Sequence, residues 1–169
     1  VVGLLSNGNE LVNPGTKKYP YQIYDSNRYM VNSMLDTKNT IIYDYGILKD
    51  DYKKIKSKIL SIKKKCNLII ISGGASLGEM DFIVKIVKEI GKIIFSGVSI
   101  KPGRPFSFGI LEKNIPILIL PGNPVASFVT FNLLGQFLIK NMLGNKYYSP
   151  NYFLVKSSFN ITKKVGREE

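Results

Sequence analysis

Two carboxylates follow a glycine-rich stretch in the middle of the chain. The segment 72–81 reads Ser-Gly-Gly-Ala-Ser-Leu-Gly-Glu-Met-Asp and joins an apolar strand predicted at 68–71 to a helix predicted to begin at Phe82. Its glycines allow a tight turn and let a ligand approach backbone amides, which suit an anion. Glu79 and Asp81 would repel a phosphate there unless a divalent cation bridges them. A metal-bridged phosphate site is the functional interpretation, and a tight turn with Asp81 as helix N-cap is the structural one.

Other loops carry side chains of the same chemistry. They hold Glu10, Asp50 with Asp51, Lys101 with Arg104, and the run Pro121-Gly122-Asn123-Pro124. Each of these loops follows a predicted strand or leads into a predicted helix, so they can converge at one rim of a sheet. A site with both acidic and basic groups suits a metal-assisted reaction on a phosphate ester or anhydride. Helix capping is the alternative for each acid, above all for Asp50 and Asp51 at one helix start.

The elements that position these loops alternate along the chain. Strands are predicted at 1–5, 40–45, 68–71, 93–96, 106–111 and 117–120, and helices begin after Asp25 or Ser26, after Asp50 or Asp51, at Phe82 and at Val125. The last helix, 125–143, is apolar enough to be mostly buried. Alternation of this kind predicts an α/β fold with three layers, in which a mainly parallel sheet has helices on both faces.

A domain boundary is predicted near Asn145. Residues 1–144 form the α/β domain, and residues 145–169 form a linker and the first strand, 152–161, of an incomplete β-rich domain. The chain begins directly in an apolar strand without a methionine, so we expect further residues before it in the intact protein.

Composition excludes several classes of function. The chain has 169 residues, 44% of them hydrophobic, which suits one main domain. No histidine is present and Cys66 is the single cysteine, so histidine-based zinc sites, Ser-His or Cys-His catalysis and an intrachain disulfide are excluded. No run approaches the roughly 18 apolar residues of a membrane span, and we expect a cytoplasmic protein. The net charge of +12 is spread along the chain, which argues against a nucleic-acid patch.

Six motifs in order make the chain resemble the molybdopterin molybdenumtransferase family, which includes bacterial MoeA and the E domain of gephyrin. They are Asn7-Gly8-Asn9-Glu10-Leu11 with Pro14-Gly15, Gln22 to Arg28, Lys49-Asp50-Asp51, Ser72-Gly73-Gly74 through Gly78-Glu79-Met80-Asp81-Phe82, Lys101 to Phe106, and Leu120 to Ser127. The resemblance covers nearly the whole chain and implies a molybdopterin-binding domain followed by the start of a C-terminal β-barrel.

The resemblance also implies a reaction and its residues. Family members take adenylylated molybdopterin and molybdate, release AMP and leave molybdenum on the pterin dithiolene, with Mg²⁺ as the supporting cation, and they act as dimers. Transferred by motif, the catalytic residues are Glu10, Asp50, Asp81 and Lys101, and Asp50 and Asp81 hold the metal. The substrate-binding residues are Ser72, Gly73, Gly74, Ser76, Gly78, Glu79, Asp25, Ser26, Arg104, Pro121, Gly122, Asn123 and Pro124.

The chain departs from the family pattern at three positions. Asn9 stands where Asp is usual, Gly97 where many members have Lys or Arg, and Arg104 where Lys is common. The first two departures remove a charge near the expected site. Two alternatives remain: a molybdopterin adenylyltransferase, which shares the fold, and a non-catalytic module that binds pterin or acts as a scaffold. Release or attachment of AMP separates the two enzymes.

Overall fold

The computed structural model describes residues 1–35, 38–73, 79–145, 152–160 and 166. Its eight strands, in chain order, are β1 (Val2–Asn7), β2 (Leu11–Val12), β3 (Ile23–Tyr24), β4 (Ile42–Leu48), β5 (Leu68–Gly73), β6 (Gly91–Ser96), β7 (Ser107–Leu111) and β8 (Ile115–Leu120). The helices are α1 (Asn27–Met34), α2 (Tyr52–Ile62), α3 (Glu79–Ile90), α4 (Pro124–Thr130) and α5 (Gln136–Met142), with a π-helical segment, Phe131–Gly135, between the last two.

Six of the strands form one sheet in the order β4-β1-β5-β8-β7-β6. The first four are parallel to one another, whereas β7 is antiparallel to both of its neighbours. Strand β6 therefore points the same way as β8, and the loop that follows it opens at the same edge. The predicted mainly parallel sheet is confirmed.

Two apolar cores lie on opposite faces of this sheet, because successive side chains of a strand point to opposite sides. Along β5, Ile69 and Ile71 face α2 and α3, and Leu68 and Ile70 face α1 and α5. The α2 side is filled by aliphatic residues such as Ile59, and Cys66 is buried among them. The predicted three layers are confirmed.

Two predictions about helices are wrong. Helix α3 begins at Glu79, so Asp81 lies in its first turn and is not its N-cap. The helix predicted at 125–143 is not mostly buried, because Val125, Phe128 and Phe137 are exposed on its outer side. Its π-helical segment ends at Gly135, where a Cβ atom would lie 2.4 Å from the Phe131 ring. The absence of a side chain therefore lets this turn close.

Residues 152–160 contain no strand and are exposed, so the strand predicted from residue 152 is wrong over the part that the structure describes. The division into two domains near residue 145 stays a prediction. Within the described ranges no helix has the length and apolar character that crossing a membrane requires.

Candidate functional site

Five strands end at the same edge of the sheet, which we call the rim. Asn7 at the end of β1 pairs with Leu48 of β4 on one side and with Gly73 of β5 on the other. Strands β8 and β6 end nearby at Leu120 and Ser96. The loops that follow these strands carry the predicted site residues, and the topology brings them to one edge.

Asp50 is fixed at the β4 end of the rim. Its Oδ1 accepts a hydrogen bond from Asn7 Nδ2 at 2.6 Å, and its Oδ2 accepts one from the Asn9 backbone amide at 2.9 Å. The Asp50 amide in turn donates to Asn9 Oδ1 at 3.1 Å. Asp51, not Asp50, caps α2, because its side chain accepts from the Lys54 amide. The structure thus distinguishes the two aspartates, which the sequence had not done: Asp51 caps the helix and Asp50 does not.

Glu10 lies beside this cluster on the loop after β1. Lys49 Nζ donates to the carbonyl oxygens of Asn9 and Leu11, at 2.9 and 3.1 Å, and so ties that loop to the end of β4. The Glu10 carboxylate packs over Gly8, where a Cβ atom would lie 2.7 Å from Oε2. It is partly exposed, and no described residue makes a hydrogen bond or ion pair with it.

Asp25 is buried beneath the rim. Its carboxylate accepts from Ser6 Oγ at 3.0 Å and from Arg28 Nε at 2.8 Å. Both oxygens are therefore used inside the protein, and the group supports the loops above it. Ser26 is exposed at the N-cap position of α1 and makes no capping hydrogen bond.

Arg28 joins three parts of the chain. Its guanidinium contacts Asp25 and Asp44, and donates from Nη2 to Asn13 Oδ1 at 2.7 Å. Burial alone would lower the pKa of Arg28, but the hydrogen bond and charge of Asp25 and the charge of Asp44 raise it overall. Arg28 thus stays charged and holds the segment after β2 against the outer strand of the sheet.

The turn after β5 is shaped by close approach to β1. Ser72 Oγ lies 3.1 Å from Ser6 Oγ. Gly73 has φ +131°, and a Cβ atom there would lie only 1.9 Å from the Asn7 carbonyl oxygen, so glycine is required. Gly74, Ser76 and Gly78 fall outside the described residues. Glu79 and Asp81 belong to the first turn of α3, and only their backbone is described.

The Pro121–Pro124 turn is held from two sides. Asn27 Nδ2 donates to the Gly122 carbonyl at 2.8 Å, and Asn123 Oδ1 caps α4 by accepting from the Ala126 amide at 3.1 Å. Pro124 occupies the first turn of α4, where a missing N–H costs nothing. These contacts orient the turn toward the rim.

Three buried polar atoms have no hydrogen-bond partner among the described residues: Asn7 Oδ1, Asn27 Oδ1 and Ser127 Oγ. Unpaired buried acceptors and hydroxyls are costly. All three belong to residues at or just below the rim. The rim therefore offers unused hydrogen-bonding capacity beside the loops described above.

Lys101 and Arg104 are exposed on the loop after β6. Backbone hydrogen bonds from Gly97 to Phe106 and from Val98 to Arg104, both 2.9 Å, hold this loop. Strand β6 lies five strand spacings from β4, or about 24 Å at roughly 4.8 Å per spacing. The rim is thus extended, with its acidic cluster at one end and its basic loop at the other.

Among the described side chains no three His, Cys, Asp or Glu residues come together as a metal site. The oxygen donors that could meet a hard cation include the Asp50 carboxylate and the unpaired Asn7 Oδ1. Carboxylate and amide oxygens are the ligands that Mg²⁺ and Ca²⁺ prefer. These oxygen atoms are of the type that such a cation binds. They are too few to complete its coordination, so further ligands are needed.

A family model described as "Probable molybdopterin binding domain" matches residues 3–141. The chain belongs to this family. The match spans the six-stranded sheet except for Val2 and the five described helices except for Met142. The resemblance identified from the motifs is confirmed.

Relatives of this molybdopterin-binding domain are longer proteins. It is 40% identical over 167 residues to molybdopterin molybdenumtransferase of Haemophilus influenzae. The aligned residues cover 98% of this chain and 41% of that protein. The protein of the same name from Bacillus subtilis is 31% identical over 149 residues, 86% of this chain and 34% of that one. A crystal structure of the MoeA molybdopterin biosynthesis protein from a Pyrococcus species superposes with a TM-score of 0.74 at 30% identity, over 86% of this chain and 36% of that chain.

Sequence reasoning assigned no role to three residues that shape this domain's rim, namely Asn7, Asn27 and Arg28. Asn7 and Ser6 end a strand that is apolar up to Leu5, and polar residues at a buried strand end are the signal that could have indicated Asn7. Asn27 and Arg28 lie in a quoted motif, but their partners are distant in sequence. Only the fold brings Asn27 to Gly122 and Arg28 to Asp44.

Proposed function

We propose that this chain is the pterin-binding part of a molybdopterin molybdenumtransferase. It takes adenylylated molybdopterin and molybdate, and the reaction releases AMP while molybdenum is bound by the pterin dithiolene. The observation that carries the proposal is Asp50, whose carboxylate is fixed by Asn7 and Asn9 beside the turn at Gly73. Relatives that cover almost the whole chain bear this enzyme's name.

Asp50 and Asp81 are the proposed holders of Mg²⁺. A bound cation would neutralise charge on the pyrophosphate and polarise the bond to AMP. In this chain Asn7 and Asn9 hold the Asp50 carboxylate, and the backbone of Asp81 lies in the first turn of α3. The unpaired Asn7 Oδ1 and the carboxylate of Asp50 are ligands of the type that a hard cation takes.

The remaining predicted residues have supporting roles in this proposal. Glu10 is an acidic active-site residue. Lys101 is a basic one that, together with Arg104, offsets charge on phosphate or molybdate. The glycine turn, including Ser72, Gly74, Ser76, Gly78 and Glu79, and the turn Pro121–Pro124 surround the pterin and phosphates. Asp25 and Ser26 belong to the wall beneath them.

The extent of the rim supports a long substrate. Its two ends are about 24 Å apart, by roughly 4.8 Å per strand spacing. A pterin joined through a pyrophosphate to a nucleoside is elongated, so groups at separate points of the rim can contact one molecule of it. By analogy with the family, we propose that the whole protein is a cytoplasmic homodimer.

The adjacent pair Asp50 and Asp51 gives a matched test in the whole protein. Asp50→Asn should lower molybdate-dependent AMP release from adenylylated molybdopterin about 100-fold, because the side chain loses the negative charge that attracts the cation and places an NH2 group against the donors Asn7 Nδ2 or Asn9 N. Asp51→Asn should change it less than about twofold, because asparagine is as good an N-cap as aspartate. Asp81→Asn should match Asp50→Asn and leave the fold intact.

Unchanged melting temperatures would show that each loss is functional. Equal activity of the Asp50 and Asp51 variants, or an active folded Asp81→Asn variant, would contradict the assignment. Attachment of AMP to molybdopterin by the wild-type protein, without its molybdate-dependent release, would indicate the adenylyltransferase instead.

A further inference from the structure

The side-chain amide of Asn7 is hydrogen-bonded through its nitrogen, while its oxygen has no described partner. The residue is 1% exposed at the end of β1. Its Nδ2 donates to Asp50 Oδ1 at 2.6 Å, whereas its Oδ1 meets no donor from the part of the chain that the structure describes. A carbonyl oxygen that is both buried and unpaired has a free-energy cost. A cation or hydrogen-bond donor that reached this oxygen would remove that cost.

The surroundings of Asn7 are rigid. Its backbone pairs with Leu48 on one side and with Gly73 on the other, and the carbonyl of Asn7 lies against Gly73. Asn9 holds the second oxygen of Asp50 by its backbone amide. The carboxylate is therefore held at both oxygens, one of them by the side chain of Asn7.

We propose that Asn7 positions the Asp50 carboxylate and gives its own Oδ1 to the divalent cation that Asp50 binds. The proposal rests on the proposed function, which places a cation at Asp50. Amide oxygens are good ligands for hard cations. Groups that orient a metal-binding carboxylate change metal affinity when they are removed, by about 10- to 100-fold.

A purely structural role for Asn7 makes a different prediction. If Asn7 only supports the fold, every substitution weakens the protein and cation binding falls in parallel with stability. If Asn7 is a ligand, the sign of the effect depends on the oxygen that the new side chain offers. Asn7→Leu keeps the size and removes both polar atoms. Asn7→Asp loses the donor to Asp50 and adds a charged oxygen ligand.

The test measures Mn²⁺ affinity of the full chain by electron paramagnetic resonance, with Mg²⁺ as competitor and melting temperature as the check on folding. Wild type should bind Mn²⁺ and Asp50→Asn should lose binding. Asn7→Leu should bind about 10-fold more weakly, and Asn7→Asp more tightly than wild type. Asn141→Asp is the control, because Asn141 is on α5 and its side-chain Nδ2 donates to the Phe137 carbonyl of the same helical segment. It should leave affinity unchanged.

The outcomes separate this proposal from the proposed function. The cation assignment, and this inference with it, would be overturned if wild type does not bind Mn²⁺. The same holds if Asp50→Asn binds Mn²⁺ with the affinity of wild type. If Asp50→Asn loses Mn²⁺ binding but Asn7→Asp binds Mn²⁺ no more tightly than wild type, only the role of Asn7 is overturned. If Asn7→Leu does not fold, the tighter binding of Asn7→Asp still decides.

Discussion

The two faces of the sheet are built differently. The face under α2 and α3 is filled by aliphatic side chains and Cys66, whereas the face under α1 and α4 contains most of the buried polar groups, among them Ser6, Asp25 and Arg28. Apolar burial stabilises without regard to direction, while buried polar groups fix direction at a cost in desolvation. We infer that the apolar residues of both faces stabilise the fold and that the buried polar groups of the second face also hold the loops of the rim.

The largest effect should follow removal of Arg28 from the polar face. Arg28→Met leaves Asp25 buried without its cation, and breaking a buried ion pair in this way costs about 3–5 kcal/mol. Urea denaturation measures the loss. A loss below about 1 kcal/mol would show that the polar face contributes no more than a surface pair.

On the apolar face the corresponding change is Ile59→Ala. Ile59 is fully buried, and such a truncation costs about 2–5 kcal/mol through lost burial and a cavity. We expect a cooperative unfolding transition at lower urea and no change in cation affinity of the folded chain. An altered affinity would mean that the two faces are coupled.

Ser127→Ala should have a smaller effect of opposite sign. Its hydroxyl is buried and unpaired among the described residues, so its removal should raise stability by up to about 1 kcal/mol. Thermal unfolding with and without AMP or pterin measures both stability and ligand protection. Lower stability in the variant would indicate that this hydroxyl already has a partner in the fold.

The smallest effect concerns the outer surface of the apolar face. The hydrogen bond from Lys56, and then that from Tyr52, lower the pKa of Glu89, so this carboxylate adds stability above its ordinary value of 4.5. That contribution is lost as pH falls through the lowered pKa. Glu89→Gln should therefore reduce stability slightly at pH 7 and converge with wild type at pH values below the lowered pKa of Glu89, as followed by melting temperature. Parallel curves would contradict this.

Local patterns predicted most of the fold. Apolar runs such as Leu68 to Ile71 marked the strands, and Asp51 and Gly91 marked helix ends closely. The long apolar run from Val125 misled, because its outward residues are apolar too and composition alone does not show which side faces solvent. Burial is a property of packing, so Phe128 and Phe137 could not be placed from the sequence.

The sequence predicted which loops form the candidate site, but not which of their side chains lie together. The rim follows from strand ends, so the loops of Glu10, Asp50 and Lys101 were placed at one edge. The choice between Asp50 and Asp51 needed the register of β1 against β4, which brings Asn7 and Asn9 to the first of them. The separation of Lys101 from Asp50 along the rim required the strand order, which loop chemistry does not encode.

The close approach at Gly73 also affects how such chains are compared. Any side chain there would collide with the Asn7 carbonyl, so the distance between β1 and β5 at their ends requires this glycine. A glycine shared with another protein at this position therefore reports the spacing of two strands and carries no information about its ligand. Evidence for the proposed site in a distant relative has to come from the positions of Asn7 and Asp50.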